Sequence, residues 1–398
     1  MGPACSALAM PVLLAVSLTA GLDVGLRTEV RATSAIEQQP ASGELELSPR
    51  VAVDAKHGRG RFSASLEPQL VLRYDSASSH ELFSRVELVG DLQASRTWRW
   101  GVQERFGYGQ RRFSPAAAPL DASLQPLPTL AGLSYLQSVT TLGLEVTASR
   151  RAHLVGSLSY LVSGGADAAS RAAMPLQHGP ELRAGFSWAL SRSDSLASTL
   201  AASMASFSSG QEIAVLELGE AWQKRLSRAS NLRLAVGAGE ALLQPRGASL
   251  EARTFPVAEA ELAHRAPEGR APLDLRLSAR LGPFVDPLFA RAYPRVEAAA
   301  TGGWEARRDL RVYLLVSGAG SLDSGPARGD YGVFGEAGAR WEAASGLGLA
   351  LGVRGAVQRQ ALLSERPLPQ WGGFVSALIS EQVRSRAQGP ASLRSRRP

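Results

Sequence analysis

The residues of this chain able to do chemistry are its arginines and carboxylates, and their spacing says more than their number. Asp274, Arg276, Ser278 and Arg280 take every second position and interleave with Leu273, Leu275, Leu277, Ala279 and Leu281. Successive side chains of a strand point to opposite faces, so such a segment is fatty on one side and charged on the other. The same alternation gathers Arg73, Arg85, Arg99, Arg105, Arg183, Arg233, Arg311, Arg340 and Arg354 on the polar face, with Glu67, Glu87, Asp91, Glu145, Glu297, Glu305, Glu336 and Glu342 beside them. Their chemistry is electrostatic. Rows of both signs around an aqueous space select among charged solutes, and a slight Arg excess favours anions weakly. Paired across neighbouring strands, the same groups brace a wall.

Covalent chemistry finds no constellation. The five histidines, His57, His80, His153, His178 and His264, fall mostly at strand ends or in loops, with no Ser or Asp placed to repeat a hydrolase motif. His264 beside Glu261 supplies two ligands, short of a metal site. Gly335 to Gly338 and Gly346 to Gly355 lack the strand-to-helix context of a phosphate loop, and Arg328-Gly329-Asp330 is a three-residue match in a turn. The expectation is no enzyme, no cofactor and no metal.

The elements that must position these residues are long strands. Leu182, Ala184, Phe186, Trp188 and Leu190 alternate with Arg183, Gly185, Ser187, Ala189 and Ser191, and Leu347, Leu349, Leu351 and Val353 repeat the pattern. Strands of soluble sandwiches run about 5 to 6 residues, whereas these run roughly 10 to 14, enough for a tilted strand to cross a bilayer. Beyond the N-terminus no stretch approaches about 18 consecutive apolar residues. A closed barrel is then the remaining way to pair every backbone group in lipid.

Tight turns are read at Ser95-Arg96-Thr97, Arg150-Arg151, Arg192-Ser193-Asp194, Arg228-Ala229-Ser230, Arg307-Arg308-Asp309 and Ala344-Ser345-Gly346. Longer connections alternate with them, at Phe113 to Leu130, Gly164 to Pro180, Gln244 to Arg253, Pro283 to Tyr293, Leu322 to Asp330 and Ala361 to Pro369. From Arg61 to Ser380 this gives about 16 strands, in a range of roughly 14 to 18, with both ends on the periplasmic side. Glu44 to Ala55 is a further strand or a pre-barrel arm, and Pro68 interrupts the first clear strand at a bulge. Trp98, Trp100, Phe106, Tyr108, Phe186, Trp188, Trp304, Tyr331, Trp341 and Trp371 are the candidate aromatic girdles at the two membrane interfaces.

The apolar run Ala7 to Ala20 has the length of a signal-peptide core. The domain map is therefore a signal peptide over 1–20, with cleavage after Ala20 or as late as Ala35, an N-terminal arm over 21–60 with at most one extra strand, a barrel over 61–380 and a basic, disordered tail over 381–398. The single cysteine, Cys5, precedes the apolar run, which excludes a lipid anchor and leaves the mature chain without thiols. Net charge is +7, and lysine occurs only at Lys56 and Lys224. Much of the excess sits in Arg384, Arg386, Arg394, Arg396 and Arg397, so the charge is poor ground for nucleic-acid binding.

This rhythm of strands, Ser-Arg tight turns and aromatic strand ends resembles the porin-like outer-membrane β-barrel proteins of high-GC Gram-negative bacteria, over about residues 44 to 380. The resemblance implies an all-β, transmembrane, antiparallel up-and-down barrel in the outer membrane, with outer-membrane lipids and the barrel assembly machinery as partners. Barrels of this class commonly end on an aromatic residue, whereas this chain ends Arg396-Arg397-Pro398. That leaves an internal assembly signal around Phe374 and Ile379, or a tail added after the strand Trp371 to Ser380. The function expected is an aqueous channel for small hydrophilic solutes. Two alternatives stand beside it: an exit barrel for an exported polysaccharide, working with periplasmic partners, and a non-transporting structural or adhesive barrel plugged by its own loops. Phe113 to Leu130 and Gly164 to Pro180 are long enough to fold inward as constrictions. Sugar pathways favour aromatic tracks, and the interior aromatics assigned are Phe83, Tyr313, Phe334 and Phe374. Residues 21 to 43 are too short for the plug domain of a TonB-dependent transporter.

Overall fold

A computed structural model describes residues 19–34, 41–74, 79–113, 130–244, 249–265, 272–287, 290–323, 328–343, 346–359 and 367–385. The strands are β1 (Thr19–Thr33), β2 (Ser42–His57), β3 (Gly60–Tyr74), β4 (Ser79–Gln93), β5 (Trp98–Phe113), β6 (Leu130–Thr147), β7 (Ala152–Gly165), β8 (Gln177–Ala189) and β9 (Asp194–Phe207). They continue as β10 (Glu212–Arg225), β11 (Ser230–Gln244), β12 (Glu251–Arg265), β13 (Leu273–Asp286), β14 (Arg291–Arg307), β15 (Leu310–Ser321), β16 (Tyr331–Glu342), β17 (Leu347–Arg359) and β18 (Leu368–Ser385).

Each strand pairs antiparallel with its neighbours in sequence, and β1 closes the ring on β18 from Ala20↔Ser385 to Thr33↔Gly372. The single described helix, α1 (Ala168–Ala173), lies in the β7–β8 connection, and Asp167 caps it by accepting the Ser170 N–H at 2.7 Å. That amide, with the Ser134 and Ser170 hydroxyls, holds the Asp167 carboxylate below its usual range. None of the described helices is long and apolar enough to cross a membrane.

Burial is inverted relative to a soluble protein. Leu349, Leu351 and Val353 on β17, like Leu273 and Leu277 on β13, are exposed, while Glu29, Glu46 and Arg73 are buried. The fatty rows therefore face outward and the charged rows inward.

The strand count corrects the expectation of about sixteen. From Gly60 to Ser385 there are sixteen, as read, and β1 and β2 raise the total to eighteen. Both lie within the segment taken as the end of the leader and an arm with at most one strand. The short fatty row of β1, Leu22, Val24, Leu26 and Val30, abuts the apolar run Ala7 to Ala20 and merges with it in a reading by hydropathy. β18 also extends to Ser385, into the segment assigned to the tail. Residues 1–18, with Cys5, and 386–398 lie outside the described residues, as does most of the Phe113 to Leu130 connection.

Pro68 makes no bulge. The β2–β3 ladder lapses between Leu47↔Leu70 and Val51↔Leu66 with its register kept, because Pro68 stands opposite Pro49 and neither has an N–H to donate. Register shifts occur instead at Arg111/Phe113 and Glu305/Arg307. Pro283 to Tyr293 is not a loop either, since β13 and β14 stay paired out to Asp286↔Arg291.

Cleavage after Ala35 would remove β1 and leave the edges of β2 and β18 unpaired in lipid. Mass spectrometry of the outer-membrane protein is expected to place its N-terminus near Gly21. A chain begun at residue 36 is expected to lose the heat-modifiable gel mobility of a folded barrel.

Candidate functional site: a charged and constricted lumen

The inner face encloses a cavity of about 1240 Å³ that runs from the short turns, at Ala229, Arg308 and Asp309, to Glu29, Arg354 and Phe374 part-way along the strands. Arg276, Arg311, Arg340, Asp274, Glu67 and Tyr313 line it. Pairs bridge the wall around this lumen: Arg105 with Glu87 at 3.0 Å, Arg99 with Asp91 at 3.4 Å, Arg276 with Glu261 at 3.0 Å and Arg311 with Asp274 at 3.2 Å. Arg233 meets Glu259 at 3.6 Å, Arg340 meets Glu342 at 2.7 Å, and Arg183 pairs with Glu181. Arg280 reaches Glu217 at 2.9 Å across two intervening strands, a bond only the inner face allows.

Beyond the cavity, toward the long loops, the charges close into a buried knot. The Glu29 side chain is fully buried and accepts from Arg27 at 2.6 Å, Arg31 at 2.5 Å and Arg354 at 3.3 Å. Arg31 also pairs with Glu46 and, at 3.6 Å, with Glu44, while Arg73 spans Glu44 at 3.2 Å and Glu81 at 3.3 Å. Arg354 meets Glu336 at 3.4 Å and stands 4.3 Å over the Phe374 ring, and the Tyr313 hydroxyl donates to Glu336 at 3.0 Å.

The opposite side of the lumen is filled by a hairpin. β12 and β13 pair only from Ala258↔Leu281 to Arg265↔Asp274, and two residues beyond the last pair stand Pro256 and Pro283. Pro283 in turn faces Pro294 across the hairpin. Three prolines at one level thus remove the donors that would hold β13 in the wall. From there the hairpin turns inward. Ala292 and Tyr293 carry opposite parities and both are buried, so neither face of the hairpin meets lipid. Ala290 and Ala292 join Phe207, Ile213, Val215, Ala241 and Phe255 in one apolar cluster, with Val285 packed against it. Gly239 admits the hairpin, because a Cβ there would lie 3.1 Å from Pro283 Cγ. Within it Tyr293 donates to Asp286 at 3.2 Å and Arg295 covers the Phe284 ring at 4.1 Å.

All sixteen residues read as lumen-lining take the inner parity, in two environments. Arg73 and Arg354 are immobilised in the knot, whereas Arg99, Arg105, Arg183, Arg276, Arg280 and Arg311 are open to the lumen. Arg85 lies 5.8 Å over the Phe83 ring, and Glu145 stands opposite Arg99 in the ladder. The reading missed Arg27, Glu29, Arg31, Glu44, Glu46 and Arg50, although Asp23, Arg27, Glu29 and Arg31 obey the same period of two. It also undercounted the inner aromatics, omitting Tyr135, Phe207, Phe255, Phe284 and Tyr293.

On the outer face Trp98, Trp100, Phe106, Tyr108, Phe186, Trp188, Trp304 and Trp371 are exposed, while Tyr331 and Trp341 are half-buried. The Trp341 indole donates to Asp309 at 2.9 Å. Trp222, with Lys224 at 5.5 Å over its ring, belongs with them and was not foreseen. His264 and Glu261 take opposite faces, the first 2.8 Å from the Ser230 hydroxyl and the second on Arg276, so they share no site. Among the described residues no group of three or more His, Cys, Asp or Glu is placed to hold a metal.

A closed wall, fatty outside and charged around an aqueous interior, makes this a porin-like outer-membrane barrel. The EpsX exopolysaccharide export family matches residues 107–368. No curated protein matches the chain. Among solved structures, Pseudomonas aeruginosa OpdO is similar at 12% identity with a TM-score of 0.49, over 92% of this chain and 98% of that one. Acinetobacter baumannii OccAB4 is similar at 8% and 0.49 over the same shares, and Pseudomonas aeruginosa OpdL at 13% and 0.48 over 92% and 99%. At such scores the likeness does not extend to cargo.

Removing Glu29 would take one carboxylate partner from each of the buried Arg31 and Arg354 and leave a polar void in the knot. Glu29→Ala is expected to cost about 3–5 kcal/mol in urea unfolding from lipid vesicles, whereas Asp54→Ala, at the exposed pair with Arg61, stays within about 1 kcal/mol. Gly239→Leu is expected to unseat the hairpin. Trypsin applied to intact cells then cuts after Arg291 and Arg295 in the variant and spares both in the parent.

Proposed function

The chain belongs to the EpsX exopolysaccharide export family, and from that premise we propose that its barrel is the outer-membrane conduit through which an exopolysaccharide leaves the cell. The carrying observation is where the match falls: residues 107–368 run from β5 to the end of the β17–β18 connection, on the wall and its lumen and not on an appended domain. The lumen supports the reading chemically. Guanidinium and carboxylate groups offer donors and acceptors to sugar hydroxyls, and Tyr313 and Phe374 in the cavity wall offer faces on which a pyranose ring can stack.

The in-folded hairpin and the buried knot narrow the passage toward the long loops, so the resting barrel suits one extended strand more than a bulky coil. Export partners on the periplasmic side would meet the short-turn end. Assembly would use the last strand, where Ile379 is exposed on the outer face; Phe374 is buried against Arg354 and is a poor signal.

A second reading, passage of small hydrophilic solutes with a weak preference for anions, is favoured by the lining of mixed charge. Deleting the gene is expected to abolish surface polysaccharide and to raise the polymer recovered from the periplasm, by sugar analysis of the fractions. Unchanged surface polymer, together with steady openings and a weak anion preference in planar bilayers, would support the small-solute channel instead.

A further inference from the structure

The arginines of the lumen and those of the short turns differ in one respect. Inside, nearly every arginine has a carboxylate partner. At the short turns Arg96, Arg150, Arg151, Arg192, Arg228 and Arg308 are exposed, and none makes an ion pair with a described residue. These six come from five of the hairpins that point toward the periplasm, so the unpaired charge forms a rim around the mouth. At the long-loop end Arg253 pairs with Glu251 at 2.7 Å and Arg171 donates to the Gly165 and Ala166 carbonyls, while Arg328 is exposed without an ion pair to a described residue, so unpaired charge is sparser there than at the short turns.

The turns need no arginine for their geometry. At four of the five, serine hydroxyls already satisfy the backbone, Ser95 accepting from the Thr97 and Trp98 amides, Ser149 from Arg151 and Ala152, Ser191 from Ser193 and Asp194, and Ser227 from Ala229. A guanidinium at each tip is therefore free to act on something else. The rim also runs into the passage, since Arg308 lines the cavity together with Arg276 and Arg311.

We propose that the short-turn rim is a capture surface for a polyanion, and that the exported polysaccharide is accordingly an acidic one, carrying uronate, sulfate or similar groups. The proposal rests on the export reading and gives it a substrate class. A ring of unpaired cations raises the local concentration of an acidic polymer at the mouth and speeds its threading, while the internally neutralised lumen beyond does not hold it. Strong charge at the entrance and balanced charge within let the chain enter and move on, as conduction requires.

The test uses the full-length protein in neutral phosphatidylcholine bilayers, with polygalacturonate or dextran of equal length added to each side in turn. Polygalacturonate is expected to block the current at a concentration at least tenfold lower than dextran, from the short-turn side only, with an effect that weakens as salt rises. Replacing the six arginines with glutamine should remove that preference while the conductance in potassium chloride alone is unchanged. Equal block by both polymers, or block that survives the substitutions, overturns the proposal. So does a variant that is altered only in phosphatidylglycerol bilayers, which would assign the arginines to lipid phosphates. If the barrel passes no current at all, the export reading fails separately, and polygalacturonate binding to detergent-solubilised protein still decides the rim: binding abolished in the variant upholds it, binding retained rejects it.

Discussion

Everything in this molecule depends on one constraint: in hydrocarbon, every backbone N–H and C=O must find a partner within the protein. The eighteen-strand meander meets it only because β1 lies between β18 and β2 along nearly its whole length. That closing strand sets an apolar outer row, Leu22, Val24, Leu26 and Val30, against a polar inner one. Its inner row carries Asp23, Arg27, Glu29 and Arg31, and it is held by ladder bonds on both sides and by the knot beneath. Closure and the knot are thus one device. Glu29 ties the first strand to Arg354 on β17, across the junction where the first and last strands meet.

The same constraint explains where the wall is allowed to open. Two places carry opposed prolines, Pro49 with Pro68 and Pro256 with Pro283. At the first, the ladder resumes in register within a few residues. At the second it does not, because Pro294 repeats the defect on the next strand and the hairpin finds other partners inside. The seat of Phe207, Ile213, Val215 and Phe255 is apolar surface that would otherwise face a water-filled lumen, at about 25 cal/mol per Å². Burying it under the hairpin compensates for ladder bonds that proline had already made impossible. Constriction therefore follows from sequence chemistry at one level of the wall, and no separate plug is required.

The architecture was legible because it has a period. Alternation over long segments, tight Ser-Arg turns and aromatic strand ends give the strands from Gly60 onward and the parity of the charged rows along them. What lacked a periodic signature was missed. β1 hides beside the apolar run Ala7 to Ala20, and its charged row was read as part of an arm. The hairpin at Pro283 to Tyr293 was read as a loop because proline and glycine mark turns by default. Neither the partners of Glu29 nor the inward seat of Ala292 is encoded locally, since both depend on strands far apart in sequence brought together by closure.

Charge is distributed by the same logic. A guanidinium within the lumen costs desolvation unless a carboxylate offsets it, and the inner face supplies one at nearly every position. At the turns water performs that service, so arginine is tolerated there without a partner. Tolerance alone does not explain why the tips carry arginine hairpin after hairpin when serines already complete four of these five turns. The proposed export conduit needs asymmetry between its ends, and a barrel wall of near-uniform fatty exterior has few places to put it. The turn tips are such a place: they lie outside the bilayer, they cost nothing in wall stability, and they surround the mouth.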